Sequence, residues 1–144
     1  MGGRTRRDAD GSRRVILIDT SAWIEFLRDT GSDVCAAVDE LLDGEIAICD
    51  AVSMEVLAGA RGDEHLIQLR GLLARATVVP TTPAHYDDAA ALYRACRRGG
   101  ETVRALIDCL IAAVAIGADL PILHRDADFD ALERCTGLRT HRQQ

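Results

Sequence analysis

Four acidic residues of this chain occupy positions where a carboxylate is costly, because their neighbours in the sequence are apolar. Carboxylates that are buried together lose hydration and repel one another, so they need a positive partner. Oxygen ligands suit a hard divalent cation, and Mg²⁺ or Mn²⁺ is the expected occupant if the four side chains converge. They are Asp19 after the run VILI, Glu55 beside Met54 and Val56, Asp108 within ALIDCLIAAVAI, and Asp126 after LPIL.

Each acid also has an alternative role that involves no metal. Asp19 could cap the following helix, although the next two residues, Thr and Ser, also supply capping oxygens. Glu55 could lie on a solvated face. Asp108 could pair with Arg104, four residues earlier, on the surface of one helix, although the surrounding Leu and Ile residues leave little room for an exposed face.

The identity of the fourth acid stays open, because the segment HRDADFD contains several carboxylates. Asp126 and Asp128 compete for the position near the metal, and either of them could instead cap the helix that runs through Leu132. Asp130 has the pattern of an ordinary solvated charge.

Short apolar runs alternate with helical patterns along the chain, and this alternation predicts an α/β sandwich with a mostly parallel sheet. The helix predicted over 103–116 is the most apolar and should be central. Ligands of such sheets bind beyond the carboxyl ends of the strands, which is where Asp19 and Asp126 are expected. Strands are predicted at 15–18, 45–49, 77–79 and 121–123, with 138–140 as a possible edge strand.

Composition narrows the possible functions. The 144 residues suit a single domain at 15–144, preceded by a polar, Arg-rich segment at 1–14 that we expect to be a disordered extension. The net charge of −6 argues against a protein that coats nucleic acid non-specifically. The sequence contains no lysine, which excludes a Schiff base or a P-loop lysine. Five cysteines without a CxxC pair and no long apolar span predict a cytoplasmic protein with reduced thiols and no membrane segment.

The chain resembles the PIN-domain ribonucleases, and specifically the VapC toxins of bacterial toxin–antitoxin pairs, over about residues 15–140. The resemblance implies a three-layer PIN-like fold around a mostly parallel sheet of four to five strands. His124 stands where Thr or Ser is more usual, and residues 1–14 have no counterpart in the common pattern. The resemblance is carried by LIDTSAWIEFL, SMEVLAGA, ETVRALIDCLIAAVAI and LPILHRDADFDAL, of which the first and third are the most specific.

The resemblance also implies an activity, the endonucleolytic cleavage of a structured RNA, tRNA or rRNA, with Mg²⁺ or Mn²⁺ held by the four acids. One ion or two could be present. Ser21 is a candidate for orienting Asp19, with simple helix capping as the alternative. Arg104 could fix Asp108 or contact a phosphate.

Partners follow from the same resemblance. VapC relatives are silenced by a VapB-like antitoxin that wraps the toxin, and they form homodimers. Trp23, Phe26 and Leu27 could line the antitoxin groove or belong to the core. A local RNA contact, or simply a solvated helix end, is expected for Arg94, Arg97 and Arg98.

Other classes of protein fit less well. A haloacid-dehalogenase-type phosphotransferase would need a second Asp where Ser21 stands, and both it and a receiver-like domain use a lysine that this chain lacks. A non-catalytic PIN-like binding module remains an alternative, although the retention of all four acids argues against it.

Overall fold

The computed structural model describes residues 14–142, and within them it contains four short strands and seven helices. Residues 1–13, which include most of the expected extension, and residues 143–144 lie outside the described part. The elements are β1 (Ile16–Ile18), α1 (Thr20–Leu27), α2 (Asp33–Leu41), β2 (Ile46–Cys49), α3 (Asp50–Ala58), α4 (Asp63–Leu73), β3 (Thr77–Val79), α5 (Pro83–Arg98), α6 (Leu106–Gly117), β4 (Ile122–Leu123) and α7 (Ala127–Cys135).

The four strands form one parallel sheet in the order β3-β2-β1-β4. All three residues of β1 are buried, as expected for a parallel strand that is covered on both faces. The chain moves from β1 to β3 in one direction and then crosses back to β4. Right-handed crossovers therefore place helices on both faces, and the predicted three-layer α/β fold is confirmed. The order reverses between β1 and β4, so the crevice that suits a ligand opens there.

The edge strand predicted at 138–140 is reduced to a single parallel bridge between Ile122 and Thr140. The Ile122 amide donates to the Arg139 carbonyl at 3.0 Å, and the His141 amide donates to the Ile122 carbonyl at 2.8 Å. The Thr140 amide instead donates to the Glu133 carboxylate of α7 at 3.1 Å. This contact with α7 uses the amide that a longer ladder would need.

Helix α6 begins at Leu106, so the start predicted at Val103 is wrong by three residues. The amides of Arg104 and Ala105 donate to the Asp128 carboxylate at 3.0 and 2.9 Å, and Ala105 is extended. These two residues therefore approach α7 as a loop. Gly100, with φ of 78°, ends α5 in the left-handed region and turns the chain toward this loop.

The core is built around α6, whose apolar character predicted its central position. Its buried residues pack with β1 and with the buried aromatic rings of Trp23 and Phe129. Between residues 14 and 142, no helix is both long and apolar enough to cross a membrane. The buried face of α6 consists of Cys109, Ile111, Ala112, Ala113, Val114 and Ala115, together with Asp108.

We expect Ile111→Ala to lower the free energy of unfolding by about 2–5 kcal/mol, because the Ile111 side chain is fully buried and its loss leaves a cavity. Ile67→Ala on α4 is the matched control, since Ile67 is 70% exposed, and we expect a change within about 0.5 kcal/mol. Urea denaturation of both variants checks this. Equal losses would contradict the central position of α6.

Candidate metal centre

Asp19 lies directly after β1, at the reversal of strand order, and it is the N-cap of α1. Its Oδ2 accepts hydrogen bonds from the Ser21 amide at 2.9 Å and the Ser21 hydroxyl at 2.6 Å. The Ser21 hydroxyl in turn accepts from the Arg125 amide at 2.9 Å, so Ser21 joins the ends of β1 and β4. The Asp19 Oδ1 is buried and has no hydrogen-bond partner within residues 14–142.

Asp126 and Asp128 lie at the start of α7, just beyond β4. Asp126 is half-buried and is the N-cap, and its Oδ1 accepts from the Asp128 amide at 2.9 Å. Asp128 is buried, and its two carboxylate oxygens accept from the backbone amides of Arg104 and Ala105. The loop before α6 thus holds the Asp128 side chain in place.

Asp108 lies in the first turn of α6 and is only 6% exposed. It forms a cluster with Asp126 and Asp128, in which each residue places one carboxylate oxygen within 4.8 Å of the others. Asp19 interacts electrostatically with Asp108 from the β1 side. The structure therefore brings both candidates for the fourth acid next to Asp108. We call these four residues, Asp19, Asp108, Asp126 and Asp128, the acidic centre.

Glu55 is half-buried on α3 and lies at the margin of the acidic centre. Its Oε1 accepts from the Thr20 hydroxyl at 2.8 Å, and its charge acts on Asp19. Among the described residues, neither Glu55 nor Asp19 belongs to the cluster of three carboxylates that meet within 4.8 Å, but Asp19 is buried and acts on Asp108 directly. Glu55 is therefore tied to the centre through Thr20 and Asp19.

Burial and mutual repulsion shift the titration of the buried acids. Burial raises the pKa of Asp108 to about 9, and its contact with Asp128 and the charges of Asp19 and Asp126 act in the same direction. Burial also raises the pKa of Asp19 to about 6, against the hydrogen bonds from Ser21. Burial alone would raise the pKa of Asp128 too, but its contact with Asp108 and the two backbone amides lower it. The raised pKa of Asp108 therefore favours its protonated form at neutral pH, whereas the lowered pKa of Asp128 favours its ionised form.

The donor set fits a hard divalent cation. All the candidate ligand atoms are carboxylate oxygens, and Asp19 Oδ1 and Asp108 Oδ2 are buried without a hydrogen-bond partner in the described chain. Buried oxygens of this kind are costly unless something positive satisfies them. The nearby guanidinium of Arg104 is 75% exposed, so water screens its charge and it compensates the cluster weakly.

Arg104 does not pair with Asp108, so the alternative of a helix-surface ion pair between these two residues is wrong. Its guanidinium lies 3.9 Å from Asp126 and 3.7 Å from Asp128. The reason is the late start of α6, which puts Arg104 in the preceding loop and turns it toward α7. Arg104 therefore lies beside the acidic centre with its guanidinium exposed to solvent.

His124 supports the chain just before the centre. Its Nδ1 accepts from the Asp126 amide at 3.1 Å, and its ring packs against Phe129 with 5.2 Å between ring centroids. Burial lowers the pKa of His124, which favours the neutral ring. His124 thus orders the turn that carries Asp126.

Two residues with contacts at this site were missed in the sequence. Thr20, treated only as a capping residue, binds Glu55. Arg125 donates to Glu25 of α1 at 2.6 Å. The position of Thr20 between Asp19 and Ser21 was a usable signal. The Arg125–Glu25 pair joins residues 100 positions apart, and no local pattern reveals it.

The remaining residues that the sequence predicted to bind the antitoxin or RNA lie in the core, on the surface of α1 or farther from the acidic centre. Trp23 is fully buried and belongs to the core, Phe26 is half-buried, and Leu27 is 42% exposed. The end of α5 packs against Cys135, which is the last residue of α7. Asp126 lies at the opposite end of this nine-residue helix, ~13 Å away. Exposed positions on that part of α5 are occupied by Arg94, Arg97 and Arg98.

Comparison with known proteins shows the family of this chain. The PIN domain family model matches residues 16–134. Ribonuclease VapC11 of Mycobacterium tuberculosis H37Rv is 46% identical over 129 residues, which is 87% of this chain and 96% of the relative.

Two solved structures share the fold. VapBC2 from Rickettsia felis, bound to a DNA fragment from its promoter, superposes with a TM-score of 0.68 at 16% identity and covers 90% of this chain and 99% of that one. Mycobacterium tuberculosis VapC20, a Sarcin-Ricin loop cleaving toxin, gives 0.62 at 18% identity and covers 81% of this chain and 93% of that one.

The family match spans all four strands and every member of the acidic centre, so the chain belongs to the PIN-domain family. The extensive identity to VapC11 places it, within that family, among the VapC ribonucleases.

We expect the metal-free protein to lose thermal stability as the pH rises from about 5 to 9. In this window folded Asp108 keeps a proton that the unfolded chain releases, so the folded state binds more protons and its advantage falls with pH. Asp19 contributes in the lower part of the window. Calorimetry in the presence of a chelator measures the slope.

Asp108→Asn should flatten this slope, whereas Asp88→Asn, an exposed position on α5, should leave it unchanged. Carboxyl resonances followed by NMR would report the same titrations. Ordinary pKa values for all the acids of the centre would contradict the proposed repulsion.

Proposed function

We propose that this protein is the toxin of a VapBC-type pair and acts as a Mg²⁺- or Mn²⁺-dependent endoribonuclease. The observation that carries the proposal is the convergence of buried carboxylates at the β1–β4 reversal, with two buried oxygens lacking a partner among residues 14–142. Such a centre suits a divalent cation, and the chemistry that a cation supplies when bound is activation of water and neutralisation of charge on a phosphoryl group.

The residues of this chain have distinct parts in the proposed reaction. Asp19, Asp108, Asp126 and Asp128 would hold the cation, and Glu55 would support it from the margin. Ser21 fixes the rotamer of Asp19 through two hydrogen bonds. The contact with Asp108 and the amides of Arg104 and Ala105 lower the pKa of Asp128, so Asp128 would contribute a negative charge to the ligand set.

The substrate that we propose is a structured cellular RNA in the cytoplasm, tRNA first and rRNA second, whose cleavage would inhibit translation. The identity to Ribonuclease VapC11 supports RNA as the polymer. VapC20, which shares the fold, is a Sarcin-Ricin loop cleaving toxin, and this supports rRNA as the second candidate. The exposed guanidinium of Arg104, beside the acids, is placed to contact a phosphate of either RNA.

We expect the wild-type protein to cleave purified RNA when Mg²⁺ or Mn²⁺ is added, and to lose this activity with a chelator. Asp19→Asn and Asp108→Asn should each reduce the rate by at least about 100-fold, because each removes a ligand charge from the centre. Asp88→Asn is the matched control and should cleave at the wild-type rate. Gel electrophoresis and sequencing of the cleaved ends provide the measurement.

Cleavage that persists undiminished in both Asn variants would refute the acidic centre as the catalytic site. A wild-type protein that binds RNA but never cuts it, with either metal, would favour the alternative of a non-catalytic PIN-like module. Retained folding of each variant is checked by its thermal midpoint.

A VapB-like antitoxin is the partner that we propose for a groove between α1, α3 and α4. The solved complex from Rickettsia felis is a VapBC assembly with the same fold, which supports a partner of this class. The groove has a cavity of about 320 Å³, and its walls include Leu27, Val56 and Leu69, with Glu55 at the margin. An apolar segment that carries an arginine would fill the groove and pair with Glu55.

We expect Leu27→Glu to weaken capture of the antitoxin by at least about tenfold, because it puts a charge into an apolar contact. Ile116→Glu is the control, because Ile116 has a similar exposure, 37% against 42% for Leu27. Ile116 lies near the end of α6, whereas Asp108 of the acidic centre lies in its first turn. Calorimetric titration with the antitoxin encoded beside the toxin measures both. Equal affinities would place the antitoxin elsewhere.

Homodimerisation also belongs to the proposal. An apolar surface cavity of about 260 Å³ between α5 and α6 supports it, with Tyr86 and Leu106 both exposed beside it. The arginines on the exposed part of α5 stay proposed as a secondary RNA contact. Arg97 lies 5.8 Å from the ring centroid of Tyr93, and this contact accounts for part of its position.

A further inference from the structure

A second cavity, of about 510 Å³, adjoins the acidic centre on the side of β4. Asp126 belongs to both sites, since it lines this cavity and also meets Asp108 in the carboxylate cluster. The volume lies within the range of small-ligand pockets, about 300–1,000 Å³. The cavity, which we call the β4 cavity, is therefore contiguous with the acidic centre through Asp126.

Two arginines line the β4 cavity beside two aspartates, and each arginine is held by an acid that does not line the cavity. Arg125 pairs with Glu25 at 2.6 Å, and Arg142 pairs with Glu133 at 2.7 Å. The guanidinium group offers several N–H donors in a planar fork, so an arginine that is already paired can still bind a phosphate. The chain has no lysine, and its phosphate contacts must come largely from arginines.

The far wall of the β4 cavity is formed by the C-terminal segment. Thr140 bridges to Ile122, and Glu133 accepts hydrogen bonds from both Thr140 and Arg142. Glu133 thereby fixes the segment against α7. His141 lies on the same wall, and two of the four histidines of the chain line this one cavity.

The chemistry of the lining suits a nucleotide. Arginines bind phosphate oxygens, the half-buried imidazole of His141 can stack on a base, and the exposed carboxylate of Asp130 can accept a hydrogen bond from a ribose hydroxyl. Most of the lining side chains are polar, and an apolar peptide would bury them without partners. RNA therefore fits this surface better than a protein segment does.

We propose that the β4 cavity is a subsite for the RNA nucleotide that flanks the cleaved phosphodiester bond, with Arg142 and Arg125 on its phosphate. This inference rests on the proposed ribonuclease function and names how the same site holds its substrate. Arg142 and Arg125 are binding residues in this scheme, and the acidic centre performs the chemistry.

The test measures the binding of a short fluorescein-labelled oligoribonucleotide by anisotropy, in the Asp108→Asn background so that the RNA stays intact. Arg142→Ala should weaken binding about tenfold and reduce the slope of log affinity against log salt by about 0.7, the loss of one phosphate contact to a single strand. Arg125→Ala should act in the same direction. An oligodeoxyribonucleotide of the same sequence should bind more weakly than the RNA.

Arg139→Ala is the matched control, because Arg139 lies on the same segment but pairs with Asp119 at 2.8 Å and does not line the cavity. It should leave both affinity and slope unchanged. If Arg142→Ala and Arg125→Ala behave like Arg139→Ala, the subsite is refuted.

The two proposals fail in distinguishable ways. Wild-type cleavage of RNA together with normal binding by the arginine variants would remove the subsite and leave the nuclease. Absence of cleavage by the wild-type protein would remove the nuclease, whatever the variants bind. Unchanged RNA binding with weakened antitoxin binding would assign the β4 cavity to a protein partner and overturn the inference.

Discussion

Repulsion among carboxylates that the fold forces together is the constraint on which this structure depends. The reversal of strand order places the ends of β1 and β4 side by side, with Asp19 directly after β1 and Asp126 three residues after the end of β4. The first turn of α6 adds Asp108 from within the core. A protein without a function at this point would gain stability from neutral side chains here. The concentration of negative charge at the acidic centre therefore supports the proposed cation site.

The surrounding structure reduces this repulsion without abolishing it. Ser21 satisfies one oxygen of Asp19, and the loop before α6 satisfies both oxygens of Asp128. The same two acids that face the centre, Asp19 and Asp126, also cap α1 and α7. Helix capping and ligand placement are thus two uses of one carboxylate. Helix capping and metal binding, which the sequence left open as alternatives for these residues, are therefore compatible.

The sequence predicts local structure here better than it predicts contacts between distant segments. The continuous apolar run of β1 and the apolar face of α6 identify the sheet and the central helix, because burial on all sides leaves a strong pattern. The start of α6 was misplaced because Val103 to Ala105 have helical character, and only their bonds to Asp128 show that they form a loop. Asp128 meets Asp108, and Arg104 meets α7, because segments that are about 20 residues apart in the sequence pack together. No local sequence pattern predicts such contacts.

The raised pKa of Asp108 has a consequence for the proposed binding of a cation. A cation would compete with the proton on Asp108, so its apparent affinity for the centre would depend on pH. As the medium becomes more acidic, protons compete better and the apparent affinity for the cation falls. A second competing site opens when Asp19 also takes up a proton near pH 6. The occupancy of the centre would then depend on both the free cation concentration and the pH around the protein, through the same few oxygens.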